Sequence, residues 1–112
     1  MIRSIGDRST FAALRRRGRR ARSGPLWVRH LPGSGDEPTR VGYAIGRQVG
    51  NAVVRNRLRR RLRAVLSEMD HDGSIPPGVY LVGADPSASD ASFEELRARM
   101  QRVVSKLQQV RS

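Results

Sequence analysis

The chain is expected to fold as an α+β protein, a single layer sandwich of order roughly α-β-β-α-β-α with room for one extra short strand. Three observations point there. Residues 51–69 and 92–107 carry apolar residues at helical spacing, residues 26–31 and 40–46 alternate as strands do, and residues 79–83 form a short apolar run behind Pro76-Pro77-Gly78. With 112 residues there is material for one modest core, so residues 1–112 are read as one domain.

Taken in order, Asp7 or Ser9 can cap a first helix through Phe11, Ala12, Ala13 and Leu14, with Gly18 as its stop. Arg15, Arg16, Arg17, Arg19, Arg20 and Arg22 crowd its end, more cations than a helix dipole needs, which favours RNA contact over a merely solvated basic end. Leu26 to Leu31 reads as a strand with Trp27, Arg29 and Leu31 on one face and Leu26, Val28 and His30 on the other. Gly33 to Pro38 is a surface turn, predicting a hairpin to a second strand. That strand sets Val41, Tyr43 and Ile45 against Gly42, Ala44 and Gly46, a small-residue face open to a packed helix or to an RNA backbone. Asn51 caps a helix to about Met69, Val79 to Gly83 is a buried strand, and residues 85–91 are a loop. Ser92 caps a last helix carrying Phe93, Leu96, Met100, Val103, Val104 and Leu107.

Charge narrows the function. Formal net charge is +12, and 21 of the 22 basic residues are arginine. Residues 1–63 hold 17 arginines against three acids, a net +14, whereas residues 64–112 come to −2. A polyanion-binding half joined to a near-neutral half makes nucleic acid the first-choice partner, with an anionic membrane surface second. The chain has no cysteine, hence no disulfide and no thiolate metal site. No run approaches the roughly 20 apolar residues of a membrane span, so a soluble cytoplasmic protein without a membrane partner is expected. His30, His71 and the scattered acids fall in no acid–base or metal-ligand spacing, so neither catalytic residues nor metal ligands are assigned.

The helix from Asn51 carries most of the functional signal. At about 100° per residue, Val54, Leu58, Leu62, Val65, Leu66 and Met69 gather into one apolar stripe. Asn56, Arg57, Arg60 and Arg63 fall on the far side, with Arg55, Arg59 and Arg61 flanking the stripe. No acid lies between Glu37 and Glu68 to relieve the like-charge repulsion, which favours a phosphate-binding helix over a solvated charged face. Asn56 adds an acceptor and donors that arginine alone lacks.

The residues Val41-Gly42, Gly50-Asn51-Ala52-Val53-Val54-Arg55-Asn56-Arg57-Leu58, Arg60 and Arg63 closely resemble the protein subunit of bacterial ribonuclease P. The match is specific over residues 40–63, and the order of elements extends it across nearly the whole chain. The resemblance implies a subunit that binds a large catalytic RNA. Together they remove the 5′ leader of precursor tRNA by hydrolysis with Mg²⁺ held chiefly by the RNA. It also implies a left-handed βαβ crossover, against the usual rule. RNA contact then falls to Arg55, Asn56, Arg57, Arg59, Arg60 and Arg63. Arg47 joins them before the helix, where Gln48 stands at a second position commonly basic.

The family's cleft for the single-stranded leader lies between the first helix and the sheet, lined partly by aromatics. Phe11 matches the first of these, while Arg15 and Arg29 stand where relatives often have two more. Guanidinium groups also stack on bases. Trp27 either adds aromatic surface there or is a core or partly exposed residue without that role. Ala84-Asp85 replaces a basic pair common after the last strand. A structural RNA-binding protein, such as one of the ribosome, is the alternative; it would share the charge without needing the Asn51 to Arg63 pattern.

Overall fold

A computed structural model describes residues 2–109. In chain order they form β1 (Arg3–Ser4), α1 (Arg8–Arg17), β2 (Arg19–Ser23), β3 (Leu26–Pro32), β4 (Arg40–Ala44), α2 (Ala52–His71), β5 (Gly78–Ala84) and α3 (Phe93–Gln109). Short 3-10 turns occupy Arg47–Val49 and Pro86–Asp90. The five strands make one mixed sheet of order β1-β4-β5-β3-β2.

Helix ends follow local chemistry. The Asp7 carboxylate accepts from the Thr10 N–H at 2.9 Å and from the Thr10 and Ser9 hydroxyls. Those bonds, with Thr10 first, hold its carboxyl well below the usual carboxylate range. Gly18 ends α1 by donating its N–H to the Leu14 carbonyl. Asn51 caps α2, its side chain accepting from the Val54 N–H at 3.0 Å. Gly50 before it sits at φ 156°, and a Cβ there would lie 2.8 Å from the Val54 side chain, so the Gly-Asn lead-in is fixed twice over. At α3, Ser92 and Glu95 exchange side-chain-to-backbone bonds, a capping box.

The sheet separates two apolar clusters. Leu26 and Val28 of β3 and Tyr80, Val82 and Ala84 of β5 pack with the stripes of α2 and α3. The stripe foreseen for α2 is buried at Leu58, Leu62, Val65, Leu66 and Met69, with Val54 half-buried. The opposite face carries the smaller cluster of Ile5, Leu14 and Leu81, joined by Phe11, Trp27, Leu31 and Val79. β5 is apolar on both faces and takes the central position.

That position overturns the expected hairpin between residues 26–31 and 40–46. β5 lies between β3 and β4, antiparallel to the first and parallel to the second. Two strand spacings are about 10 Å, which the segment Gly33–Pro38 easily crosses. The hairpin forms instead between β2 and β3, where Gly24-Pro25 is a two-residue turn with Gly24 at φ 56°. β2 is an addition to the expected order, as is β1, which pairs with β4 in parallel. The arginines of 19–22, expected to crowd the helix end, are strand residues, with Ala21 between them packed on the larger core. Gly42 also resolves the small-residue face: a Cβ there would lie 2.8 Å from the Phe11 ring, so α1 is the element that approaches.

Candidate nucleic-acid interface

The outer face of α2 spreads its arginines rather than bundling them. Arg57 Nη2 donates to the Ser89 carbonyl at 3.3 Å and Arg61 Nη1, one turn further along α2, to the Ala91 carbonyl at 2.8 Å, both on the 86–91 segment. On the other flank Arg59 donates to the Asn56 Oδ1 at 3.0 Å and to the Ile45 carbonyl at 3.4 Å. The Arg63 guanidinium lies 5.5 Å from the centre of the Tyr43 ring. Burial pushes the Tyr43 phenol up to about 12, so it stays neutral beneath that cation.

Between the flanks, Arg60 is exposed and has no hydrogen bond or ion pair among the described residues. Asn56 is exposed beside it, its amide N–H₂ still available to a ligand. Arg47 is exposed in the 3-10 turn ahead of the helix. Arg55 is half-buried, and its Nε has no hydrogen-bond partner. The ion pairs Arg22–Asp85, Arg40–Asp7, Arg97–Glu68 and Arg97–Glu94 all lie elsewhere, so they leave the charge of residues 55–63 in place.

Phe11, Arg15, Trp27 and Arg29 gather on the other side of the sheet, under and beside α1. Trp27 lies flat over Gly83: a Cβ on Gly83 would come within 2.0 Å of the indole. The indole is therefore half-exposed on the sheet, packed on the smaller cluster rather than sunk in the main core. Arg29 Nη1 donates to the Arg15 carbonyl at 3.1 Å, while the Arg15 side chain is exposed. The eleven residues singled out from sequence thus divide into two surfaces, seven around α2 and four around α1, with the sheet between them.

Arg20 and Arg22, expected as RNA-contacting members of an arginine cluster at the end of the first helix, stand on a strand instead, and the register places them opposite Arg29 and Trp27 and hence on the α1 side. The alternation of Arg20 and Arg22 with Arg19, Ala21 and Ser23 was the available signal. The paired roles of Tyr43 with Arg63 and of Gly83 with Trp27 had none, because both join residues far apart in the chain.

Other polar groups serve the fold. His30 is buried, stacked on Tyr80 with centroids 4.2 Å apart, and its Nε2 lies 3.1 Å from the Pro77 carbonyl. Burial lowers its pKa, with the Pro77 bond opposing. Among the described residues no three His, Asp or Glu side chains converge as a metal site would require. No described helix is long and apolar enough to cross a membrane.

Comparison with known proteins fits this geometry. A family model described as Ribonuclease P matches residues 3–108. The ribonuclease P protein component of Clavibacter michiganensis is 44% identical over 94 residues, spanning 80% of this chain and 81% of that protein. That of Nocardioides is 43% identical over 101 residues, 88% and 85% of the two chains. In fold, the chain is similar to the solved RNase P proteins of Staphylococcus aureus, with TM-score 0.80, 20% identity and coverage of 93% and 94%. The Thermotoga maritima protein gives TM-score 0.78, 21% identity and coverage of 92% and 96%.

Proposed function

This chain belongs to the ribonuclease P protein family, and from that premise we propose that it is the RNA-binding, non-catalytic subunit of the holoenzyme that removes the 5′ leader of precursor tRNA. The observation that carries the reading is the outer face of α2, where Arg60 and Asn56 stand outward between Arg57 and Arg61 on one flank and Arg59 on the other, all three bonded to backbone carbonyls. The backbone anchors hold the flanking guanidinium groups in fixed positions against mutual repulsion. A phosphate backbone supplies the missing counter-charge, and this face docks the catalytic RNA with Arg47, Arg55, Asn56, Arg57, Arg59, Arg60 and Arg63 around it.

The second surface receives the leader. Phe11 and Trp27 offer ring faces for stacking, and Arg15 offers an exposed guanidinium. Arg29, bonded to the Arg15 carbonyl, shapes the cleft by holding α1 over the sheet. One RNA-binding domain thereby faces two RNA segments from opposite sides of its sheet, in the cytoplasm.

Mg²⁺ is the implied cofactor of leader removal. Among the described residues no three His, Asp or Glu side chains converge, which supports reading the Mg²⁺ as held chiefly by the partner RNA. What this chain contributes is positive charge and position.

The test is cleavage of precursor tRNA with and without a bacterial ribonuclease P RNA. RNA-dependent cleavage should improve at low Mg²⁺ when the protein is added, and the protein alone should be inert. Cleavage by protein alone would overturn the non-catalytic role, and no improvement would overturn the subunit role.

A further inference from the structure

On the sheet face beneath α1, the register sets Arg22, Trp27 and Gly83 in one row and Arg20, Arg29 and Leu81 in the next. Residues directly opposite on antiparallel strands share a face, so the surface around Trp27 runs on to the sheet edge over Arg20 and Arg22. Both are exposed, but they are not equivalent. Arg20 has no partner among the described residues. Arg22 donates from Nη1 to Asp85 Oδ2 at 2.6 Å and from Nη2 to Oδ1 at 3.2 Å, a two-pronged carboxylate contact.

Asp85 is held in place independently of that contact. Its N–H donates to the Pro25 carbonyl at 2.8 Å, and its own carbonyl accepts from the Ala88 N–H at 2.9 Å. The carboxylate therefore meets Arg22 beside the Gly24-Pro25 turn because the backbone puts it there.

We propose that single-stranded RNA leaving the Trp27 side of the cleft crosses β2 with its phosphates on Arg20 and Arg22, and that Asp85 is an internal competitor holding Arg22 until a phosphate displaces it. The inference rests on reading the Phe11–Trp27 face as the leader cleft. A phosphate presents the same paired oxygens to a guanidinium as a carboxylate does. The side chains of Arg22 and Asp85 are 51% and 40% exposed, so water and salt weaken their attraction and the exchange costs little. Asp85 stays close to the arriving phosphate, so its charge sets affinity below what the two arginines would give alone.

The experiment uses holoenzyme assembled with ribonuclease P RNA and measures affinity against salt for three ligands. These are a precursor with a leader long enough to reach β2, one whose leader stops in the cleft, and leaderless tRNA. Asp85→Asn keeps the side-chain shape, and its unfolding midpoint is checked first. It should tighten the long-leader precursor roughly two- to fivefold, the scale of an exposed ion pair. It should also steepen the log–log salt slope by about 0.7, one single-strand phosphate. The other two ligands should not respond, and Arg22→Ala should abolish the gain.

An unchanged affinity and slope would overturn the proposal. So would a gain that persists in the Arg22→Ala background, which reports bulk charge, or a gain shared by leaderless tRNA. Trp27→Ala separates this from the underlying reading. If it costs affinity only for leader-bearing precursors while Asp85→Asn changes nothing, the cleft stands and the competitor falls. If it costs affinity equally for leaderless tRNA, the cleft reading fails first.

Discussion

Arg29 reaches across from β3 to the last turn of α1 and donates to the Arg15 carbonyl at 3.1 Å, placing a cation on the negative end of that helix. Arg29→Met keeps the stem and removes the donor. Because the bond is charge-assisted but exposed to solvent, the loss should be about 1 kcal/mol in urea unfolding. Arg29→Lys should recover part of it. Stability unchanged in Arg29→Met, with leader affinity lost, would show that Arg29 meets the ligand rather than α1.

Two neighbouring arginines of α2 should behave differently. Arg60 has no partner among the described residues, so Arg60→Ala should leave stability within about 0.5 kcal/mol. It should lower the log–log salt slope of RNA binding by roughly 0.7–0.9, one phosphate. Arg61 bonds the Ala91 carbonyl at 2.8 Å, so Arg61→Ala should cost about 1 kcal/mol of stability and leave the slope nearly unchanged. Binding isotherms over a salt series with parallel unfolding curves decide it; equal slope losses would erase the distinction.

Much of the fold was legible because it is written in local periodicity. The α2 stripe, the Asn51 cap and the Ser92 cap depend on residues within a few positions of one another. Strand order is different. The Gly33–Pro38 turn looks like a hairpin in isolation, and only the two-faced apolarity of β5 competes for the slot beside β3. β2 was hidden because a run of arginines masks an alternating pattern whose one apolar member is Ala21. At the site, the residue types of α2 were readable from sequence. The division of labour among Arg57, Arg59, Arg60 and Arg61 was not, since it is set by carbonyls of Ile45, Ser89 and Ala91 that fold back from distant segments.

The buried stack of His30 on Tyr80 makes stability depend on pH. The His30 pKa is lowered in the folded state, chiefly by burial, while the unfolded value stays near 6.5. Between those two values the unfolded chain binds the extra proton, so stability is full at neutral pH and falls as pH drops through about 6.5. One proton limits the slope to about 1.4 kcal/mol per pH unit. Unfolding curves from pH 7.5 to 5 should show the decline in the native chain and a flatter profile in His30→Gln, with His71 common to both. Matching profiles would mean the imidazole does not titrate on unfolding.

Gly83 is the residue that lets Trp27 lie flat on β5, and Gly83→Ala is the sharpest perturbation of that surface. The added methyl would stand 2.0 Å from the indole ring, closer than any van der Waals contact, so the ring must lift or the strands must part. Overpacking of this kind costs about 1–3 kcal/mol. The chain's only tryptophan reports on it directly, and its emission should shift to longer wavelength as the ring enters water. If stacking on Trp27 holds the leader, affinity for leader-bearing precursor should fall with the spectral shift while affinity for the catalytic RNA, bound through α2 on the opposite face, is kept. Loss of both affinities together would mean that the damage spreads through the sheet, and the two surfaces could not then be treated as separable.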